Sequence, residues 1–212
     1  MELSVDQAAD VLGVSPRRVR ALAAAGEISA RKLGRIWIIE VQDGSPARVP
    51  GRRLSARSAW GVLGLGLENL SRSERRRAEE RRARIAALPP QALQRRAEVV
   101  VLHAHDAAID RLARDGRLVL GGSSAAGAVG ADLVALGRVE AYVRGSDLAP
   151  VRRDHGLRDA APGDAVNVLL RVPRPSWPFA PGERHAPRLV VAADLLEAGD
   201  ERSVRAARDL LA

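Results

Sequence analysis

Apolar positions in the first 40 residues predict two short helices followed by a β-hairpin. Ser4, with Gln7 three residues later, has the pattern of a capping box and marks the start of the first helix. The apolar residues that follow recur at helical spacing: Val5, Ala8, Ala9, Val11 and Leu12. Gly13 then interrupts the run, so the first helix is short and amphipathic.

The second helix begins at Ser15, which is placed to cap it, with Pro16 at its first position and Gly26 after its last turn. Its predicted buried stripe consists of Val19, Leu22 and Ala23. Residues 28–40, ISARKLGRIWIIE, then alternate loosely around Gly34-Arg35, as the two strands of a hairpin do. The order helix, turn, helix, hairpin predicts a winged helix-turn-helix.

A polar, proline- and glycine-rich stretch over residues 43–60 predicts a linker that leads into a helix capped by Ser55. Ser71 and Glu74 then form a second capping-box pattern, ahead of a very polar helix that ends before Pro89. A short helix is expected over 91–98. We therefore expect residues 51–98 to form a helical bridge.

From residue 99 the chain alternates short apolar runs with helical segments, which is typical of a small sheet flanked by helices. Strands are expected at 98–104, 117–122, 139–143, 165–172 and 187–193. Helices are expected at 106–116, 123–133, 146–156 and 200–212. The predicted fold class is α/β (α+β), with a winged helix over 1–50, the bridge over 51–98 and an α/β domain over 99–212.

Cations in the first unit suggest a nucleic-acid partner. Arg17, Arg18 and Arg20 lie away from the apolar stripe of the second helix, where base edges would be in a major groove. The candidate DNA-binding residues are these three, the capping serine and three cations near the hairpin tip: Ser15, Arg17, Arg18, Arg20, Arg31, Lys32 and Arg35. The alternative is a solvated helix face that has no partner.

Net charge is unevenly distributed along the chain. The total is +8, and residues 1–98 contain 19 Lys and Arg against 11 Asp and Glu, whereas residues 99–212 contain 15 of each. A basic half of this kind attracts polyanions, and no apolar run approaches the ~20 residues that span a bilayer. We therefore expect double-stranded DNA as the partner and no membrane association.

The stretch LGVSPRRVRAL, followed by GEI, resembles the excisionase and MerR-like family of small winged-helix DNA-binding domains over about the first 40 residues. The resemblance implies that the second helix enters the major groove and that the wing contacts the DNA backbone or minor groove. A repressor of this size often binds paired half-sites as a homodimer.

Little in the sequence indicates metal or cofactor chemistry. The chain has no cysteine, and no signal peptide is visible at its start, so a cytoplasmic protein is expected. His103 and His105 lie two residues apart, yet a third ligand at a recognisable spacing is missing, so ordinary hydrogen-bonded histidines are favoured over a zinc site. No cofactor and no metal are expected.

The glycine-rich stretch VLGGSSAAGAVGADLV has a partial likeness to the nucleotidyltransferase superfamily, in which Gly-Ser opens a helix and two carboxylates one residue apart later hold metal. Asp132 is followed by Leu133 and Val134, so the second carboxylate is missing. Two-metal phosphoryl transfer needs both carboxylates. The sequence therefore favours a domain that is not an enzyme, with a nucleotide-using enzyme as the alternative.

The segment RLSARSAW at residues 53–60 and the later segments LGGSSAAGA, AYV, NVLLRV and AADLLEAGDERSVRAARDLL resemble AbiEi-type antitoxins of type IV toxin-antitoxin systems. The resemblance implies a winged helix that represses its own operon and a C-terminal domain that counters a nucleotidyltransferase toxin. The function predicted from the sequence is a sequence-specific repressor and autoregulating antitoxin. The alternative within DNA binding is a phage or plasmid excisionase-like architectural factor.

Overall fold

The computed structural model describes residues 2–12, 15–24, 28–34, 36–40, 53–88, 92–161 and 165–212. The chain divides into two compact units, Met1–Gly51 and Arg52–Ala212, and each is described by itself. Both contain helices and an antiparallel or mixed sheet, so the predicted α+β class is confirmed.

The N-terminal unit places two helices on a small antiparallel sheet. Its elements are β1 Glu2–Ser4, α1 Val5–Leu12, α2 Pro16–Ala24, β2 Ala30–Leu33 and β3 Ile36–Glu40. The strand order is β1-β3-β2, so β3 lies in the centre. The buried core consists of Leu3, Val5, Ala8, Ala9, Val19, Ala23 and Ile39. The hairpin of β2 and β3 is the predicted wing.

Local hydrogen bonds start both helices where the sequence indicates. The Ser4 N–H donates to Gln7 Oε1 at 2.9 Å and the Gln7 N–H donates to Ser4 Oγ at 3.2 Å, which is the predicted capping box. The Arg18 N–H donates to Ser15 Oγ at 3.3 Å, so Ser15 caps α2. The predicted turn at Gly13 and the predicted C-cap at Gly26 lie outside the described residues.

The C-terminal unit is a five-stranded sheet with helices on both faces. Its helices are α3 Ala56–Val62, α4 Arg72–Arg82, α5 Asp106–Ala113, α6 Gly122–Ala125, α7 Gly145–Asp154, α8 Arg188–Ala198 and α9 Glu201–Leu211. Its strands are β4 Ala97–His103, β5 Leu118–Leu120, β6 Val139–Val143, β7 Arg158–Asp159 and β8 Val168–Pro173. The order is β5-β6-β8-β4-β7, in which only the β6–β8 pair is parallel.

Alternate residues of the central strands face two separate apolar clusters, as the period of a strand requires. Along β6, Val139 and Ala141 belong to one cluster with the buried side chains of α5, whereas Tyr142 belongs to the other. That second cluster contains side chains of α3, α6, α8 and α9, among them Trp60, Ala125, Val190 and Leu210.

The segment expected to bridge two domains is part of this C-terminal core. Ser55 caps α3 and the Ser71–Glu74 capping box starts α4, as predicted. Trp60 of α3 is buried, and its Nε1–H is shared between the carbonyl oxygens of Arg96 at 3.1 Å and Arg174 at 2.9 Å. Residues 53–88 therefore belong to the C-terminal unit, because their apolar side chains are buried against its sheet and helices.

Two predicted elements are wrong, and several others are shorter than predicted. Residues 187–193, predicted as a strand, form the cap and the first part of α8, which is eleven residues long and buries the six consecutive residues 190–195. The predicted helix over 123–133 is one short turn and a 3₁₀ turn, because Gly130 adopts φ +92° and ends it. α4 ends at Arg82, and only Gln94–Arg96 of the segment 91–98 is helical, since β4 begins at residue 97.

Candidate nucleic-acid interface

The outward face of α2 presents two arginines and two alanines. Val19 and Leu22 are buried on one side of the helix, so the opposite side faces away from the core. Residues three and four positions apart share that outward side and are all exposed: Arg17, Arg20, Ala21 and Ala24. We call these four residues the outward stripe. Its alanines were not anticipated from the sequence, although their spacing from Arg17 could have revealed them.

Arginines of α2 are available for a partner. Arg17, Arg18 and Arg20 are all exposed, and among the described residues none of them has an ion pair with an acidic side chain. Arg18 lies beside the outward stripe, at the edge of the exposed surface. The first turn of α2 contains no acidic residue, so the partial positive charge at the start of this helix also favours an anion there.

The two described cations of the wing each lie near another side chain of the hairpin. Arg31 Nε lies 3.9 Å from Glu40 Oε1, and the Lys32 ammonium lies 5.9 Å above the Trp37 ring. Both cations are exposed, as phosphate contacts require, whereas Arg35 lies outside the described residues. Leu33 is 62% exposed at the end of β2, immediately before the turn at Gly34.

The net charge of the N-terminal unit is smaller than the excess over residues 1–98 suggested. Residues 1–50 contain seven Lys and Arg against six Asp and Glu, whereas residues 51–98 contain twelve against five. Most of the basic excess therefore comes from the segment that belongs to the C-terminal unit. Attraction of DNA to the N-terminal unit depends on where its cations are placed and very little on its net charge.

Comparison with protein families supports the first unit alone. Residues 2–43 match the family model described as a helix-turn-helix domain. No curated protein matches the chain, and no solved structure matches it. This match, with the observed order of two helices and a hairpin, supports a helix-turn-helix DNA-binding domain in the N-terminal unit, the kind of domain that DNA-binding regulators carry. Among the described helices, none is both long and apolar enough to cross a membrane.

The C-terminal unit contains a cluster of buried charges that sequence reasoning missed. Its members come from β6, β8, α8 and the turn before β4: Arg96, Glu140, Arg171, Asp194 and Glu197. Arg96 Nη2 donates to Asp194 Oδ1 at 2.6 Å and Arg171 Nη1 donates to Glu140 Oε2 at 3.4 Å. We call these five residues the buried charge cluster.

Electrostatics and burial act in opposite directions in this cluster. Burial disfavours the charge on Arg96, yet the oxygen atoms of Tyr142, Asp194 and Glu197 raise the pKa of Arg96 well above its ordinary value. Burial also raises the pKa of the Tyr142 hydroxyl, which donates a 2.7 Å hydrogen bond to Asp194. Arg96 and Tyr142 therefore keep the protonation states in which they donate to Asp194.

The glycine-rich turn lies beside this cluster. Ser123 Oγ donates to Glu140 Oε1 at 2.7 Å, and the Gly122 N–H donates to Asp194 Oδ2 at 3.0 Å. Gly122 has φ +45°, and a Cβ at this position would overlap the Glu140 carboxylate. Asp132, the carboxylate considered from the sequence, is exposed on the chain after the turn. The carboxylate next to the Gly-Ser turn is therefore Glu140.

A cleft of about 560 Å³ opens onto the same cluster. Arg138 Nη2 lies 3.2 Å from Glu140 Oε1, so Glu140 is held between two guanidinium groups, those of Arg138 and Arg171. A carboxylate paired in this way has few lone pairs left for a divalent cation. The remaining lining is mixed, with Val99 and Leu169 on the sheet and Asp200 at the start of α9.

The two neighbouring histidines have separate structural roles. His103 Nδ1 lies 2.9 Å from the Ala165 carbonyl oxygen, and His105 Nδ1 accepts from the Ala107 N–H at 3.2 Å as the cap of α5. His105 follows the end of β4, so the two side chains do not share a strand face. Within the described ranges, no group of His, Asp and Glu side chains is arranged to hold a metal ion.

Proposed function

We propose that the chain is a sequence-specific DNA-binding transcriptional repressor that reads the major groove with α2. The single observation that carries this proposal is the outward stripe of α2 in a helix-turn-helix domain. Arg17 and Arg20 can each donate two hydrogen bonds to a guanine edge, which is the commonest base-specific contact. Ala21 and Ala24 let the helix approach the bases closely and can contact thymine methyl groups.

The wing supplies a second set of contacts in this proposal. Arg31 and Lys32 lie on β2 of the hairpin and would bind phosphate oxygens. Arg35, which comes between β2 and β3 in the sequence, is proposed to do the same. Ser15 caps α2 through its hydroxyl oxygen, so its role in DNA binding is to hold the N-terminus of the reading helix. Contacts from the wing strengthen binding to any DNA, whereas contacts from the outward stripe select a sequence.

The test compares arginines of the stripe with a cation of the wing. An operator is first selected from random double-stranded oligonucleotides with the full chain, and affinities are then titrated on the operator and on unrelated DNA. Replacing Arg17→Ala or Arg20→Ala should cost about 1–3 kcal/mol on the operator and relax preference at particular base pairs. Replacing Lys32→Ala should weaken both DNAs similarly and reduce the salt slope by about one.

Arg72→Ala is the matched control, because Arg72 is an exposed arginine of α4 with no ion pair among the described residues. It should leave the preference for the operator unchanged. If Arg17→Ala and Arg20→Ala bind the operator as the wild type does while remaining folded, α2 is a solvated helix and the proposal is wrong. Strong DNA bending by the wild type would favour an excisionase-like architectural factor.

We further infer that the C-terminal unit is not an enzyme. The support is the pairing of Glu140 with Arg138 and Arg171, which occupies the carboxylate beside the Gly-Ser turn. Isothermal calorimetry with magnesium and ATP, CTP or GTP tests this inference on the full chain. We expect no tight binding; micromolar binding that Glu140→Gln abolishes would favour a nucleotide-using enzyme.

The finer proposal is that the chain is a cytoplasmic, autoregulating antitoxin whose C-terminal unit counters a nucleotidyltransferase toxin. Its support is the resemblance of the later segments to AbiEi-type antitoxins, together with a C-terminal unit that has a core of its own. Deleting residues 1–51 should abolish repression and leave rescue from a toxin encoded beside the gene. Loss of rescue in a folded 52–212 chain would contradict this division of labour.

A further inference from the structure

Among the described residues, nothing pairs with the outer edge of β4 over Ala97–Val101. β4 pairs with β8 along Ala97–Leu102, but on its other side β7 is paired only with Leu102 and His103. In the part of the chain that the structure describes, residues 97–101 make no backbone hydrogen bond beyond the β8 ladder. Backbone N–H and C=O groups on such an edge are a template for another strand.

Exposed apolar side chains accompany this open edge. Val99 is 48% exposed and Val101 is 43% exposed, both on the sheet face that also carries Leu169. Natural edge strands are commonly protected by lysine, proline or a bulge, and the segment 97–101 has no lysine and no proline. An exposed apolar edge of this kind is expected to be covered by a strand of similar character.

We propose that β4 pairs antiparallel with β4 of a second copy of this chain, with Val99 of one copy opposite Val99 of the other. The two ends of the open segment set this register. β7 closes the edge after Val101, and the 3₁₀ turn Gln94–Arg96 precedes Ala97, so only the register centred on Val99 uses all five residues. The pair is isologous, with a two-fold axis through Val99.

The strand is complementary to itself in this register. Val99 lies opposite Val99 and Ala97 lies opposite Val101, so apolar side chains meet on the exposed face. Glu98 lies opposite Val100, and its carboxylate is already paired with Arg174 of β8's C-terminal side. Like charges are therefore not placed opposite each other. Residues 99–212 also contain equal numbers of acidic and basic residues, so net charge does not oppose self-association.

A dimer of this chain would carry two helix-turn-helix domains. The inference therefore rests on the proposed function and identifies the surface that joins the two copies. The dimer does not require DNA, so it can be tested in its absence. Failure of dimerisation leaves the DNA-binding proposal standing, and failure of DNA binding leaves the dimer standing. The interface is small, so we expect a reversible dimer in the micromolar range.

Cysteine cross-linking tests the register directly, because the natural chain has no cysteine. Opposite residues of antiparallel strands have Cα atoms about 4.5–5.5 Å apart, within the range of a disulfide. The full-length Val99→Cys variant, treated with oxidised glutathione, should form a covalent dimer. Leu136→Cys, which is 84% exposed elsewhere in the same unit, should stay largely monomeric and is the matched control.

Sedimentation of the full chain without DNA provides the second measurement. Val99→Lys with Val101→Lys brings like charges together across the strand pair, and should raise the dimer dissociation constant at least about tenfold. Leu136→Lys should leave it unchanged, and circular dichroism verifies that each variant is folded. A monomeric wild type at high micromolar concentration, a dimer unaffected by the double lysine variant, or equal cross-linking of the two cysteine variants would each overturn the proposal.

Discussion

Removing the buried guanidinium of Arg96 should lower the unfolding free energy of the C-terminal unit far more than removing an exposed guanidinium does. Arg96 is 1% exposed, and it donates from Nη1 to the Leu93 carbonyl oxygen at 3.0 Å. Its Nη2 donates to Asp194 at 2.6 Å and to Glu197 Oε2 at 2.9 Å. Arg96→Met keeps an unbranched apolar side chain of similar reach and removes all of these donors at once.

The expected loss of unfolding free energy depends on the partners that the Asp194 and Glu197 carboxylates keep when Arg96 is removed. Removing one partner of a buried ion pair typically costs about 3–5 kcal/mol, because an uncompensated charge stays buried. Asp194 keeps the Tyr142 hydroxyl, the Gly122 N–H and the Arg171 guanidinium, whose Nε lies 3.4 Å from Asp194 Oδ1. Glu197 is 11% exposed and can reach water. We therefore expect a loss near the lower end of that range, about 3 kcal/mol, out of a total stability of about 5–15 kcal/mol for a typical domain.

Urea unfolding followed by tryptophan fluorescence measures this loss, since two of the three tryptophans, Trp60 and Trp177, lie in the C-terminal unit. The matched control is Arg72→Met, which removes an exposed arginine and should change stability by less than about 0.5 kcal/mol. Adding Asp194→Asn to Arg96→Met should recover part of the loss. If Arg96→Met costs no more than Arg72→Met, the buried charge cluster does not stabilise the fold and the reasoning fails.

Two further changes test local features of the same unit. Gly122→Ala should lower the stability of the fold by about 2 kcal/mol or more, because a Cβ at φ +45° would overlap Glu140. Gly127→Ala should cost little stability, because the space around Gly127 is open. Thermal unfolding of the two variants measures the difference. Hydrogen bonds from Arg117 chiefly lower the pKa of Asp115 below its ordinary value, with His155 contributing. Asp115→Asn should therefore lower stability by about 1–2 kcal/mol at pH 7. This loss should shrink as the pH falls below about 4, the pKa of an aspartate in the unfolded chain. Equal losses of stability at pH 7 and pH 2 would contradict the prediction.

Local signals in the sequence were sufficient where a few neighbouring residues decide the structure. The capping boxes at Ser4 and Ser71 and the cap at Ser15 lie where the pattern indicated, because each involves residues only three positions apart. The strand β1 was missed because it is three residues long and pairs with β3, more than 30 positions away. The run 187–193 was misjudged because a fully buried helix and a buried strand have the same apolar composition.

The buried charge cluster could not be assembled from spacing, because Arg96 and Asp194 are 98 positions apart and meet only in the folded sheet. A weaker signal was present. Glu140, Arg171 and Asp194 each interrupt an otherwise apolar run, and a single charge inside such a run indicates a buried and paired group. The outward stripe of α2 was half predicted, since its arginines were identified and its alanines were not.

The outward stripe also limits how much sequence information one copy of the domain can extract. If Arg17 and Arg20 each specify one guanine and the alanines only favour thymine, one α2 fixes roughly two base pairs and passes about one site in sixteen. A genome offers about 10⁶ competing sites or more, so a single copy would be titrated away by chance matches. Selective occupancy of one operator then requires an assembly of several copies. Each copy specifies its own base pairs, and the fixed distance between copies excludes sites that have the wrong spacing.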